Sequence, residues 1–137
     1  MSATSGGEVM QRFLAISPFV THLGMELVGL EPDRATLRLP FREALVTVGD
    51  VVHGGAISAL VDTTAMATAW STADTPANLR GTTVALSVDF VTAARASDLT
   101  AVGRVIRRGR SLVFCQVEVR DATGQVVAVG LVTYKLG

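Results

Sequence analysis

The sequence predicts an α+β fold in which one antiparallel β-sheet wraps around a single long helix. Three observations carry this. The stretch from Gly54 to about Thr72 is rich in alanine and has apolar residues on every side, as a helix buried nearly all round does. After Gly81 the pattern switches to period two across four successive segments, the spacing of half-buried strands. Two further strand-like segments precede the helix. A sheet of that size packed on one helix is a stable α+β layer arrangement.

In chain order, "MSATSGG" (residues 1–7) reads as a flexible tail. From Glu8 to Ile16, Val9, Phe13 and Ile16 fall at helical spacing, and Pro18 limits this helix. "GMELVGLE" and "RATLRLP" read as two strands around a turn at Pro32-Asp33; in the second, Ala35, Leu37 and Leu39 alternate with Arg34, Thr36 and Arg38. "FREALVTVGDVV" (41–52) reads as a loop that delivers the chain to His53, and "TADTPANLRG" (72–81) as the loop that ends the long helix. In "TVALSVDFV", Val84, Leu86, Val88 and Phe90 share one face, opposite Thr83, Ala85, Ser87 and Asp89. "LTAVGRVIRR", "SLVFCQVEVRD" and "QVVAVGLVTYKL" follow, joined by short turns at Gly109 and at Ala122-Thr123-Gly124 that suit hairpins.

The totals bound the function. The 137 residues make about one domain, 49% hydrophobic and 18% charged. Twelve basic residues balance twelve acidic ones, which argues against a nucleic-acid partner. The N-terminus lacks a basic lead-in before a long apolar run, and no span reaches the ~18 uninterrupted apolar residues of a membrane helix. The expectation is a cytoplasmic protein that meets no membrane. The one cysteine, Cys115, cannot form an internal disulfide, and nothing around it suggests a metal site.

The chemistry concentrates in "VVHGGAISALVDTTAMATAW". His-Gly-Gly opens an apolar helix that then carries one acid, Asp62, in its middle. Burying a carboxylate without a partner costs several kcal/mol or forces it to take a proton, so Asp62 faces solvent or a partner, or is kept for chemistry. Free N–H groups at a helix N-terminus, helped by the helix dipole, stabilise charge building on a carbonyl oxygen. Glycines at Gly54 and Gly55 let a ligand come close to the backbone.

His-Gly-Gly, with the acid nine positions after the His in "HGGAISALVDTTA", resembles the hot-dog fold acyl-CoA thioesterases. Within the 4-hydroxybenzoyl-CoA thioesterase superfamily it looks most like the phenylacetate-degradation type, and "GRSLVFCQVEVRDATGQVVAVGLVTY" is similar to the family's closing hairpins. The resemblance implies hydrolysis of an acyl-CoA, aromatic and medium-chain acyl groups being candidates, to free acid and coenzyme A. It requires no cofactor, coenzyme A being part of the substrate. It also implies that the Gly54 amide binds the carbonyl, that His53 orients that end of the site, and that Asp62 is nucleophile or general base. On the residues alone, the two glycines permit a tight entry turn, His53 caps the helix or packs in the core, and the Asp62 charge is met by a nearby Arg or by the Thr63 and Thr64 hydroxyls. Eight residues of helix place Gly54 and Asp62 about 12 Å apart, too far for one carbonyl to touch both. The family's dimers join strands into one sheet with the helices side by side, which resolves this: a homodimer or homotetramer with composite sites.

Further candidates are less specific. Thr83 matches a position where some relatives hold the attacking water, although alternation puts it opposite Leu86, and ordinary β propensity explains it as well. Thr47 stands where many relatives carry an Asn or Gln. Asp50, where relatives often have Gly, suits a solvated loop or capping acid better. Arg107, Arg108 and Arg110 cluster at a turn and suit the phosphates of coenzyme A, or are simply solvated. Cys115 reads as a buried, inert thiol, His22 as a packing residue, and Met66 and Trp70 as core or subunit contact. The rival functions are a non-catalytic acyl-CoA binding or sensing protein on the same scaffold, and a hot-dog hydratase. The latter typically has a Phe-Pro beside its His, which is missing here.

Overall fold

The computed structural model describes residues 5–72 and 79–137. Two helices, α1 (Gly6–Ile16) and α2 (Pro18–Leu23), lead into strands β1 (Glu26–Glu31) and β2 (Arg34–Leu39). A 3-10 turn (Glu43–Leu45) and two short strands, β3 (Val46–Val48) and β4 (Val51–Val52), precede the long helix α3 (Gly54–Trp70). Four long strands complete the chain: β5 (Gly81–Phe90), β6 (Leu99–Arg108), β7 (Leu112–Arg120) and β8 (Val126–Leu136).

Six strands form one antiparallel sheet in the order β1-β2-β6-β7-β8-β5. The expected hot-dog arrangement, one sheet around one helix, is what the chain adopts. Inward-facing residues such as Leu37, Leu99, Val117 and Val119 are fully buried against Leu60, Val61 and Ala65 of α3. The helix lies close on the sheet because two strand positions lack side chains. A Cβ on Gly103 would collide with the Thr68 hydroxyl, and one on Gly130 with the Val61 side chain.

Several expectations need correction. Residues 5–7 are not tail: Ser5 caps α1 by accepting from the Glu8 N–H at 3.1 Å, and Gly6 and Gly7 are helical. The core side of α1 is Met10 and Leu14, whereas Phe13 and Ile16 are 45% and 76% exposed. Pro18 not only stops α1 but starts α2, where its fixed φ and missing N–H are tolerated at the first helical position. The 41–52 loop contains the β3–β4 ribbon around Gly49. His22 is exposed rather than packed; its backbone carbonyl accepts from Arg42. Of the 72–81 loop, positions 73–78 lie outside the described residues.

Candidate active site

Helix α3 is buried except along one stripe. Gly55, Ser58, Ala59, Asp62 and Met66 recur at helical spacing and are exposed or half-buried, while the positions between them are buried. Asp62 therefore lies on this stripe and is half-buried.

One hydroxyl meets it: Thr83 Oγ1 donates to Asp62 Oδ1 at 2.6 Å. Strict alternation would have sent Thr83 to the other face of β5. A bulge between Thr83 and Ala85 absorbs Val84 as an extra residue, so Thr83 stands opposite Tyr134 while Leu86 stands opposite Val132. Since Tyr134 and Val132 are both buried beneath the helix, Thr83 shares their face.

At the start of α3 the first-turn amides divide their partners. Gly55 N–H donates to His53 Nδ1 at 2.7 Å, and Ala56 and Ile57 N–H both donate to the His53 carbonyl. His53 is thus the helix N-cap, one of the roles its position allowed. An imidazole accepting at Nδ1 in its neutral form carries its proton on Nε2. Gly55 makes room for this ring, because a Cβ there would lie 2.9 Å from Nδ1. Its amide serves the cap rather than a ligand. That leaves the Gly54 N–H, with no partner among the described residues, as the uncommitted donor at the positive end of the helix dipole.

Phe90, which the sequence alone gave no reason to single out, packs here. Its ring lies 3.4 Å from where a Gly54 Cβ would stand, and it is 55% exposed at the end of edge strand β5. Thr47 is the bulged residue of the β3–β4 ribbon, which is tied to the helix start by His53 N–H donating to the Leu45 carbonyl at 2.7 Å. Asp50 pairs with Arg95 at 3.0 Å in an exposed loop.

The arginine turn lies at the other end of the molecule, beside the C-terminus of α3. There Arg108 bonds Asp33 at 2.8 Å and the Ala69 carbonyl at 2.9 Å, a latch between the β1–β2 turn and the helix end. Arg107 and Arg110 are exposed. Trp70 is buried and donates from Nε1 to the Tyr134 hydroxyl at 3.0 Å. Burial raises the Tyr134 hydroxyl pKa against the lowering effect of that bond, and the negative charge of Asp62 raises it further. Cys115 is buried, and desolvation pushes its thiol up to about 11.

Known proteins resemble this chain in sequence and in fold. The sequence profile of the thioesterase superfamily matches residues 49–128. A Mycobacterium tuberculosis protein named "Putative esterase MT1895" is 30% identical over 117 residues, 84% of this chain and 83% of that protein. The crystal structure of AziG from S. sahachiroi is 30% identical, with a TM-score of 0.78 over 88% of this chain and 97% of that one. The E. coli PaaI protein from the phenylacetic acid degradation operon has a TM-score of 0.84 over 96% of this chain and 93% of its own, at 17% identity, and so shows the shared fold.

Proposed function

The chain belongs to the thioesterase superfamily, and on that premise we propose that it hydrolyses acyl-CoA thioesters at sites shared between two copies of the chain. The observation that carries this is the division of labour along α3. The uncommitted Gly54 amide sits at the helix start, and the Thr83-bonded carboxylate of Asp62 sits eight residues further along. At 1.5 Å per residue they are about 12 Å apart.

A second copy supplies the missing half. Among the described residues the outer edge of β5 has no partner strand, and Val84, Leu86 and Phe90 on it are all exposed. A ten-residue open edge with exposed apolar side chains is a template for pairing with another chain. The small side chains of Gly55, Ser58 and Ala59 beside Asp62 give room for a second helix alongside. Paired so, the Gly54 of one copy and the Asp62 of the other would face one thioester.

The reaction follows from those groups. The Gly54 N–H and the helix dipole stabilise the oxyanion as the carbonyl carbon becomes tetrahedral. Asp62 takes a proton from water, whose oxygen bonds to the carbonyl carbon. The C–S bond then breaks, coenzyme A leaves as a thiolate and regains a proton, and the free acid remains. The Thr83 hydroxyl, whose proton is already engaged in its hydrogen bond to Asp62, accepts from that water and fixes its approach. Direct attack by Asp62 would instead pass through an anhydride. Single-turnover hydrolysis in ¹⁸O-water distinguishes the two, because only the anhydride path can leave label in Asp62.

The test is a panel of acyl-CoA substrates with a thiol-detecting reagent. Turnover that is lost in Asp62→Asn supports the reading. Tight acyl-CoA binding without turnover would overturn it in favour of a sensing protein.

A further inference from the structure

Beside Asp62 the structure holds an apolar cavity that the reaction just described does not use. Its volume is about 140 Å³, and α1 closes one side with Val9, Met10 and Phe13. Met66, Trp70 and Tyr134 form the other side. Asp62, Met66 and Trp70 are four residues apart in turn and so lie on one face of α3. The near wall begins one helical turn, about 6 Å, from the carboxylate, and the far wall one turn beyond. Tyr134 stands opposite Thr83 in the sheet, so this second side of the cavity leads toward the Asp62–Thr83 pair.

The lining fits an apolar occupant. Trp70 Nε1 is already satisfied by Tyr134, leaving no indole donor for a polar ligand. An engineered apolar cavity of about 150 Å³ is known to bind benzene, which sets the scale of what this one takes. Phe13 stands at the mouth, 45% exposed, one helical turn from Met10 on the side of α1 that lines the cavity. That exposed aromatic is where an occupant longer than one ring would meet the wall.

We infer that this cavity receives the acyl group, and that α1 sets substrate choice by limiting it to about one six-membered ring or an aliphatic group of similar bulk. The inference rests on the thioesterase reading for the position of the carbonyl, but the cavity can be probed without turnover. Trp70 is the only tryptophan in the chain, so its fluorescence reports on occupancy directly.

The experiment uses the intact protein and two thioether probes that cannot be hydrolysed, S-phenacyl-CoA and S-methyl-CoA. A saturable change in Trp70 emission is expected with the first and little with the second. Equal responses, or none to either, would overturn the inference. Two variants then act on the wall in opposite senses. Val9→Phe fills the cavity and should lower the ratio of kcat/KM for phenylacetyl-CoA to that for acetyl-CoA at least tenfold. Phe13→Ala opens the mouth and should raise the ratio for decanoyl-CoA to phenylacetyl-CoA by a similar factor. Unchanged ratios in folded variants would place the acyl group elsewhere. If no thioester is hydrolysed while the Trp70 response appears as stated, the thioesterase reading fails and the apolar binding site stands.

Discussion

The Thr83 hydroxyl and the Asp62 carboxylate meet at 2.6 Å across the gap between β5 and α3. The bond orients the carboxylate and leaves its second oxygen open toward the exposed stripe of the helix. Replacing Asp62 by Asn keeps the shape but removes the base, and the expected loss in kcat is on the order of 10²-fold or more. Thr83→Val removes one hydrogen bond to a charged group and should cost about tenfold or more. Thr83→Ser should restore most of that. Steady-state kinetics on the three variants check the order, and a Thr83→Val variant with full activity would reduce Thr83 to a strand residue.

That pair also shows what the sequence could and could not reveal. The start and length of α3, its acid and the six strands of the main sheet were legible because periodic segments declare themselves. The side on which Thr83 stands was not. Alternation is reliable only along an unbroken ladder, and the extra residue Val84 has no distinctive side chain to announce a bulge. The β3–β4 ribbon escaped notice because strands of three and two residues are too short to show a period. In α1 two apolar sets compete, Met10–Leu14 and Val9–Phe13–Ile16, and only the tertiary fold decides that the first faces the core. His53 was read with capping and orienting roles both open. Its Nδ1 bond to Gly55 establishes the first, while leaving Nε2 directed elsewhere.

Close packing of α3 on the sheet predicts a stability cost at Gly103. An alanine Cβ there would overlap the buried Thr68 hydroxyl, which is itself held by donating to the Thr64 carbonyl at 2.7 Å. Overpacking of this kind costs about 1–3 kcal/mol. Urea unfolding of Gly103→Ala should show a lower midpoint, and an unchanged one would mean that the helix moves off the sheet freely.

The raised thiol pKa of Cys115, near 11, predicts both reactivity and pH dependence. Native protein at pH 8 should resist iodoacetamide and react fully once unfolded. The unfolded thiol ionises near 9.0 and the folded one about two units higher. The unfolded state therefore sheds its proton first as pH rises. This contribution to stability is complete below pH 9 and is lost progressively toward pH 11. Urea midpoints compared between the parent and Cys115→Ala across that window isolate the effect: the parent should lose more. Parallel curves would contradict it.

The central claim is that each site takes Gly54 from one copy and Asp62 from the other, and subunit complementation tests it most directly. Gly54 is helical and the nearest contacts of a Cβ there would be ordinary ones, to the exposed Phe90 ring, so Gly54→Val should fold, which circular dichroism can check. Alone, Gly54→Val and Asp62→Asn should each be inactive, since every site in either homodimer carries one defect. In a heterodimer made by co-expression with two tags, one site carries both defects and the other carries none. The account predicts that acyl-CoA hydrolysis reappears at about half the parent rate per dimer. Confirmed heterodimers that remain inactive would contradict it, and the two residues would then not act on one thioester from opposite chains.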